Sequence, residues 1–130
     1  MREILFRGKD TESGFWCYGD LAHDRERNTY IRFWAHNGYL VREVEPGTVS
    51  QFTGFMDKGR KRIFEGDILR SRYDKDFPDD ISYEVVKWMR NGWYVGEGTA
   101  DEDLNQGMLT EYSEVAGNVW DDHELLEADA

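Results

Sequence analysis

Residues 30–41 read Tyr30-Ile31-Arg32-Phe33-Trp34-Ala35-His36-Asn37-Gly38-Tyr39-Leu40-Val41. Two short runs of aromatic and β-branched residues flank Asn37-Gly38. That dipeptide accepts the positive φ values of a type I′ turn, so the stretch predicts an antiparallel hairpin of Tyr30–Trp34 against Tyr39–Val44. Strand periodicity, not helical periodicity, governs the chain on either side.

Towards the N-terminus lie Ile4-Leu5-Phe6 and Phe15-Trp16-Cys17-Tyr18, bounded by Gly8, Gly14, Gly19-Asp20 and Asn28. Pro46-Gly47 interrupts the pattern after the hairpin. A second series follows: Gln51–Phe55, Arg62–Phe64, Ile68–Tyr73, Ile81–Met89, Trp93–Val95 and Val115–Trp120. Asn91-Gly92 predicts a further hairpin between Met89 and Trp93. Lys58-Gly59 is a weaker turn, and Gly66-Asp67 marks a corner before Ile68. Ile81, Tyr83 and Val85 share one face and Val86 and Trp88 the other, which predicts a bulge near Val85-Val86. Helical signals are sparse. Thr99-Ala100-Asp101-Glu102 has capping-box spacing ahead of Leu104 and Met108, with Gly107 as a stop, and Asp121 with Glu124 introduces a terminal turn over His123–Ala128. Tyr73–Asp80, charged and carrying Pro78, reads as an exposed loop.

Many short strands at regular spacing predict a mainly all-β protein of one or two small antiparallel barrels or sandwiches. The seam near Glu45–Val49 divides it into residues 1–48 and 49–130. The expected core draws on Ile4, Phe6, Trp16, Ile31, Phe33, Phe52, Ile63, Ile68, Val85, Val119 and Trp120.

The chain has 130 residues, of which 5 are Trp, 7 Tyr and 7 Phe. So aromatic a sequence is not a disordered one, and its length suffices for a buried core. No apolar run approaches the roughly 20 residues of a membrane-spanning helix. The N-terminus, Met1-Arg2-Glu3-Ile4-Leu5-Phe6-Arg7, lacks the features of a secretory signal. The single cysteine, Cys17, permits neither an intramolecular disulfide nor a cysteine-based zinc cage. A cytoplasmic protein is the simplest expectation.

The formal net charge is −11. Residues 1–72 hold 13 basic and 11 acidic residues, whereas 73–130 hold 3 basic and 16 acidic. A strongly negative molecule repels phosphates at long range, which argues against coating of nucleic acid by the whole protein. The bland reading of the charge is solubility.

Catalytic constellations are wanting. Cys17 alternates with Trp16 and Tyr18 in an expected strand and reads as a small packing residue, not as the partner of His23, His36 or His123. His23-Asp24 and Asp121-Asp122-His123 lack recognised metal-ligand spacing, and Asp101-Glu102-Asp103 lacks the ligand order of a calcium loop. Gly92, Gly96 and Gly98 match no phosphate-binding loop. The Glu65-Gly66-Asp67-Ile68 corner reads first as a folding device: Gly permits the turn and Asp hydrogen-bonds it. The expectation is therefore no catalytic residue, no metal and no cofactor, so the protein reads as not an enzyme.

The basic residues offer more. Lys58, Arg60, Lys61 and Arg62 cluster in one turn, and Arg70 and Arg72 share a strand face two residues apart. Next to aromatics such as Phe55, Phe64 and Tyr73, such residues suit a nucleic-acid-binding small barrel. Alternatively they dock onto acidic protein surface, that of this chain, of another copy or of a partner.

An ordered set of segments runs through nearly the whole chain. It comprises Phe6-Arg7-Gly8, Trp16-Cys17-Tyr18-Gly19-Asp20-Leu21, Pro46-Gly47-Thr48-Val49-Ser50-Gln51-Phe52-Thr53-Gly54, Asp57-Lys58, Ile63-Phe64-Glu65-Gly66-Asp67-Ile68, Gly117-Asn118-Val119-Trp120 and Glu124-Leu125-Leu126. Together these resemble the YopX family of phage and prophage proteins. The resemblance implies two small barrel-like subdomains, the second SH3-like, and a phage or prophage origin, hence a bacterial host cytoplasm. It implies no activity. Two positions depart from the family pattern: Gly59-Arg60 replaces an Asn-Gly turn, and Asp122-His123 replaces an Asn-Pro. Taken together, the expectation is a non-catalytic module that binds a phage or host protein or self-associates. The alternative is a nucleic-acid-binding barrel using the basic turn.

Overall fold

The computed structural model describes residues 2–72, 76–77, 79–89, 92–96, 102–103, 109 and 111–127. Eleven strands are found among the described residues: β1 Phe6–Lys9, β2 Trp16–His23, β3 Thr29–Ala35, β4 Gly38–Glu43, β5 Ser50–Met56, β6 Arg62–Phe64, β7 Asp67–Ser71, β8 Ser82–Met89, β9 Gly92–Gly96, β10 Glu102–Asp103 and β11 Ser113–Asn118. Two 3-10 turns, Pro46–Thr48 and His123–Leu126, accompany them, and Leu109, Glu111 and Tyr112 are helical. The protein is mostly β, and the chain divides into two compact units, residues 1–52 and 53–130.

Unit one is an antiparallel meander in which β1 pairs β2, β2 pairs β3 and β3 pairs β4. Asx turns shape its connections. Asp10 Oδ1 accepts the backbone N–H of Glu12 at 2.8 Å and of Ser13 at 3.2 Å. Those two donors, Glu12 first, hold the Asp10 carboxyl below the usual carboxylate range. Asp24 likewise accepts the N–H of Glu26 at 2.9 Å and of Asn28 at 2.8 Å between β2 and β3. The core holds Ile31, Val44 and Phe52. Arg7 is buried too; its Nε donates to Ser50 Oγ at 2.8 Å and its guanidinium lies 4.6 Å from the Trp16 ring centre. Beyond β4 the chain returns to β1 through an Asp10–Val44 bridge.

Strand β5 pairs with β1 through Ser50 and Gln51, then continues past Phe52 to lie beside β6. Unit two carries a five-stranded sheet in the order β10-β9-β8-β7-β11. Ile63, Leu69, Val86, Val95 and Leu109 form its buried cluster, with Phe55, Trp93 and Val115 packed against it. The sheets are open, with β4 and β6 at the edges of one and β10 and β11 at the edges of the other. Closed barrels are not formed.

Several expectations need correction. The hairpin strands pair, but Ala35 faces Gly38, so the loop is His36-Asn37, with φ values of 49° and 72°, and not Asn37-Gly38. This register sets Trp34 opposite Tyr39, with ring centres 5.0 Å apart, and brings Arg32 to 4.6 Å from the Tyr39 ring centre. The aromatic contact outweighs the turn preference of Gly38. Strand β8 has no bulge; its pairings with β7 and β9 run in unbroken register. No face switch is needed, because Val86 is buried and Val85, on the opposite face, is half-buried. The bulge lies in β11, between Val115 and Gly117. Glu102–Asp103, expected in a helix, form a strand against Val95 and Tyr94, where β9 supplies backbone partners that a short isolated helix lacks. The rest of that segment except Leu109, and the loop between Met89 and Gly92, lie outside the described residues. Ile4 is exposed, since it precedes the first paired residue of β1, and Phe6, Trp16, Phe33, Val119 and Trp120 are half-buried. Val44, Phe64, Leu69, Val86, Val95 and Leu109 join the core unannounced.

Candidate functional site

The turn from Asp57 to Arg62 joins β5 to β6. Asp57 opens it and is 4% exposed. Its Oδ1 accepts the N–H of Gly59 and of Lys61, both at 2.8 Å, and its Oδ2 accepts the N–H of Val115 in β11 at 2.9 Å. The main chain adds three bonds: Asp57 N–H to the Lys61 carbonyl at 2.9 Å, Arg60 N–H to the Asp57 carbonyl at 3.0 Å, and Lys58 N–H to the Ser113 carbonyl at 2.8 Å. Arg60 takes φ of 64°, a left-handed conformation that costs a non-glycine residue about 1 kcal/mol or more. The turn is thus over-determined by backbone bonds, and its geometry does not depend on the basic side chains. Lys58, Arg60, Lys61 and Arg62 are all exposed. Among the described residues, no ion pair engages Lys58, Arg60 or Lys61.

Arg70 and Arg72 behave differently. Arg70 sits opposite Glu114 in the β7–β11 ladder. Its Nη2 lies 2.6 Å and its Nε 2.8 Å from Glu114 Oε1, and Arg72 Nη1 lies 3.7 Å from the same oxygen. One carboxylate therefore takes up both cations. Beside them a cleft of about 120 Å³ is lined by Lys58, Arg72, Glu111, Tyr112, Ser113 and Glu114. Pockets for metabolites run to roughly 300 Å³ and more, so this one suits a few waters. Ser113 is fully buried, and its hydroxyl meets that of Ser71 at 2.7 Å.

The other sequence-predicted groups are scattered. Cys17 is half-buried opposite Gly8. Burial, and then the negative charge of Asp10, push its thiol above the ordinary range, the reverse of an activated nucleophile. His23 ends the same strand, six residues away, which is roughly 20 Å of strand. His36 stands in the β3–β4 loop, and His123 lies 3.4 Å from Glu127 in the terminal turn. Asp122 and Asp121 accept from the backbone N–H and the side-chain amide of Asn118, at 3.0 and 3.2 Å. Among the described residues no three His, Cys, Asp or Glu side chains gather as metal ligands. The Gly66-Asp67 corner acts in folding: Asp67, 2% exposed, accepts the Phe64 N–H at 2.8 Å.

Sequence reading overlooked one surface. Trp34, Tyr39 and Val41 are 63%, 59% and 50% exposed and share the outer face of the β3–β4 hairpin. The signal was present in the alternation, since Ile31 and Phe33 must point the other way.

A family model described as "YopX protein" matches residues 5–127. The crystal structure of protein EF1440 from Enterococcus faecalis is similar, with a TM-score of 0.65 and 19% identity, over 97% of this chain and 99% of that one. At that identity the likeness concerns the fold. No curated protein matches the chain.

Proposed function

The chain belongs to the YopX family, and we propose that it is a non-catalytic interaction module, phage- or prophage-encoded, that docks an acidic protein surface on the turn Lys58–Arg62. One observation carries this reading. Asp57 holds Lys58, Arg60 and Lys61 in a fixed turn without ion-pair partners among the described residues, while Arg70 and Arg72 share the one carboxylate of Glu114. The backbone that carries these cations is already ordered, so binding has only their side chains left to order.

The charge balance favours a protein partner over a nucleic acid. Unit two holds 9 basic and 19 acidic residues, so a uniform polyanion meets repulsion beyond the turn. A protein can present an acidic patch matched to the turn alone, within the 8–10 Å over which salt leaves the field unscreened. Among the described residues no helix is long and apolar enough to cross a membrane; the proposed place of action is the cytoplasm of the bacterial host.

The test is affinity capture from the bacterial host with the wild type and with Lys58, Arg60, Lys61 and Arg62 replaced by Ser. The expected result is a partner that the variant loses and that nuclease treatment leaves in place. Tight, salt-sensitive binding of oligonucleotides at physiological salt, flattened by the same substitutions, would overturn the reading in favour of nucleic acid.

A further inference from the structure

The open edge of unit one carries a second interaction surface. Val44 N–H donates to the Thr29 carbonyl at 2.9 Å, so Thr29 and Val44 form a hydrogen-bonded pair of the β3–β4 ladder. Alternation then makes Ile31–Arg42, Phe33–Leu40 and Ala35–Gly38 hydrogen-bonded pairs as well. The intervening residues Tyr39, Val41 and Glu43 turn their N–H and C=O groups away from β3. Glu43 accords with this: its carbonyl accepts the N–H of Thr11 at 3.0 Å. Those of Tyr39 and Val41 have no such bond among the described residues. The open window is thus Gly38–Arg42, closed at one end by the His36-Asn37 turn and at the other by Thr11.

Apart from the charge of Arg42 at its end, this window lacks the devices that normally protect an edge. It holds no Pro, no bulge and no Lys, and its centre is Tyr39-Leu40-Val41, all exposed. We infer that β4 pairs antiparallel with β4 of a second copy of this chain, about a two-fold axis through Leu40. Tyr39 then lies opposite Val41 of the copy, and Val41 opposite Tyr39, which satisfies both outward pairs with four backbone hydrogen bonds.

A second copy fits this edge for three reasons. The two windows have equal length and equal spacing of donors and acceptors. A slip of two residues either way sets an outward pair against the occupied Glu43 carbonyl or against the turn. Charge does not oppose the match: the one charged residue in the window, Arg42, falls opposite Gly38, and unit one as a whole has 7 basic and 8 acidic residues. So short a ladder buries little area, and a weak, concentration-dependent dimer is expected.

Sedimentation velocity across a micromolar concentration series, with hydrogen exchange at Tyr39 and Val41, tests this. The expected result is a monomer–dimer equilibrium, with both amides gaining protection as dimer forms. Val41→Pro removes an outward N–H without touching the β3 ladder and should weaken dimerisation about tenfold or more. Leu40→Lys places like charges across the axis and should do the same, as should Leu40→Glu. Mixing Leu40→Lys with Leu40→Glu protein should restore association, which does not depend on how well Val41→Pro folds. The Lys58–Arg62 Ser variant should dimerise like the wild type, so failure here and failure of the proposed docking are separate results. A monomer at all concentrations would overturn the inference. So would a dimer indifferent to Leu40 charge, or failure of the mixture to associate.

Discussion

The Trp120 ring packs against Gly66: a Cβ placed on Gly66 would meet Trp120 Cζ3 at 2.5 Å and Cη2 at 2.6 Å. Gly66 also takes φ of 84°. The corner between β6 and β7 is therefore closed by the indole, and two bonds lock it, Gly66 N–H to the Val86 carbonyl at 2.8 Å and Val119 N–H to the Gly66 carbonyl at 2.9 Å.

Gly66→Ala should destabilise the protein by about 2–4 kcal/mol, the sum of left-handed strain and a side-chain collision. Adding Trp120→Ala removes the collision but not the strain, so the double variant should lose less than the two single losses combined. Urea denaturation of the four proteins measures this coupling. Full additivity would show that the ring moves aside freely.

Asp57→Ala should cost about 2–3 kcal/mol, because the buried Val115 bond is lost while water can reach Gly59 and Lys61. Asp57→Asn should cost about half as much, since its carbonyl oxygen can still accept from Gly59 and Lys61 but its amide cannot accept from Val115. Amide exchange at Lys61 and Val115 separates the two effects.

These two cases mark what is legible in the chain. The strands, the antiparallel pairing around residues 36–37 and the cluster of cations at Lys58–Arg62 follow from local pattern. Asp57 does not stand out, because one of its three donors, Val115, is 58 residues away. Nor does the pairing of Arg70 with Glu114, across 44 residues. The position of the β3–β4 turn was missed by one residue because both strands decide it, through Trp34 and Tyr39.

Cys17 should react slowly with thiol reagents. Its thiol is pushed above the ordinary range, chiefly by burial, so the reactive thiolate is scarcer near neutral pH than in an unfolded chain. Absorbance-monitored thiol titration should show reaction accelerating on denaturation and, in the native protein, only at raised pH. Rapid native reaction near neutrality would contradict the packing role.

Asp10 should make stability acid-sensitive. Its folded pKa lies below its unfolded value of about 3.9, so its contribution is present above that value and is lost as pH falls through the folded one. Asp10→Ala should lower stability at neutral pH and flatten the acid limb of a plot of melting temperature against pH. An unchanged acid limb would show that the Glu12 and Ser13 bonds do not persist in solution.

The order in which the strands meet has a kinetic consequence. Strands β1 to β4 join neighbours in sequence, each across a short loop, whereas Val44 and β5 close on Asp10 and β1 from further along the chain. Unit two must bring β11 back to β7, Gly117 to Ile68, before its sheet is complete. Closing so long a loop is the slower event. Since Val115 N–H reaches Asp57 only when β11 has docked, the basic turn acquires its final geometry at the end of folding. A nascent or partly folded chain would thus present the β4 edge before it presents the cations, and a partner that reads Lys58–Arg62 would select completed molecules.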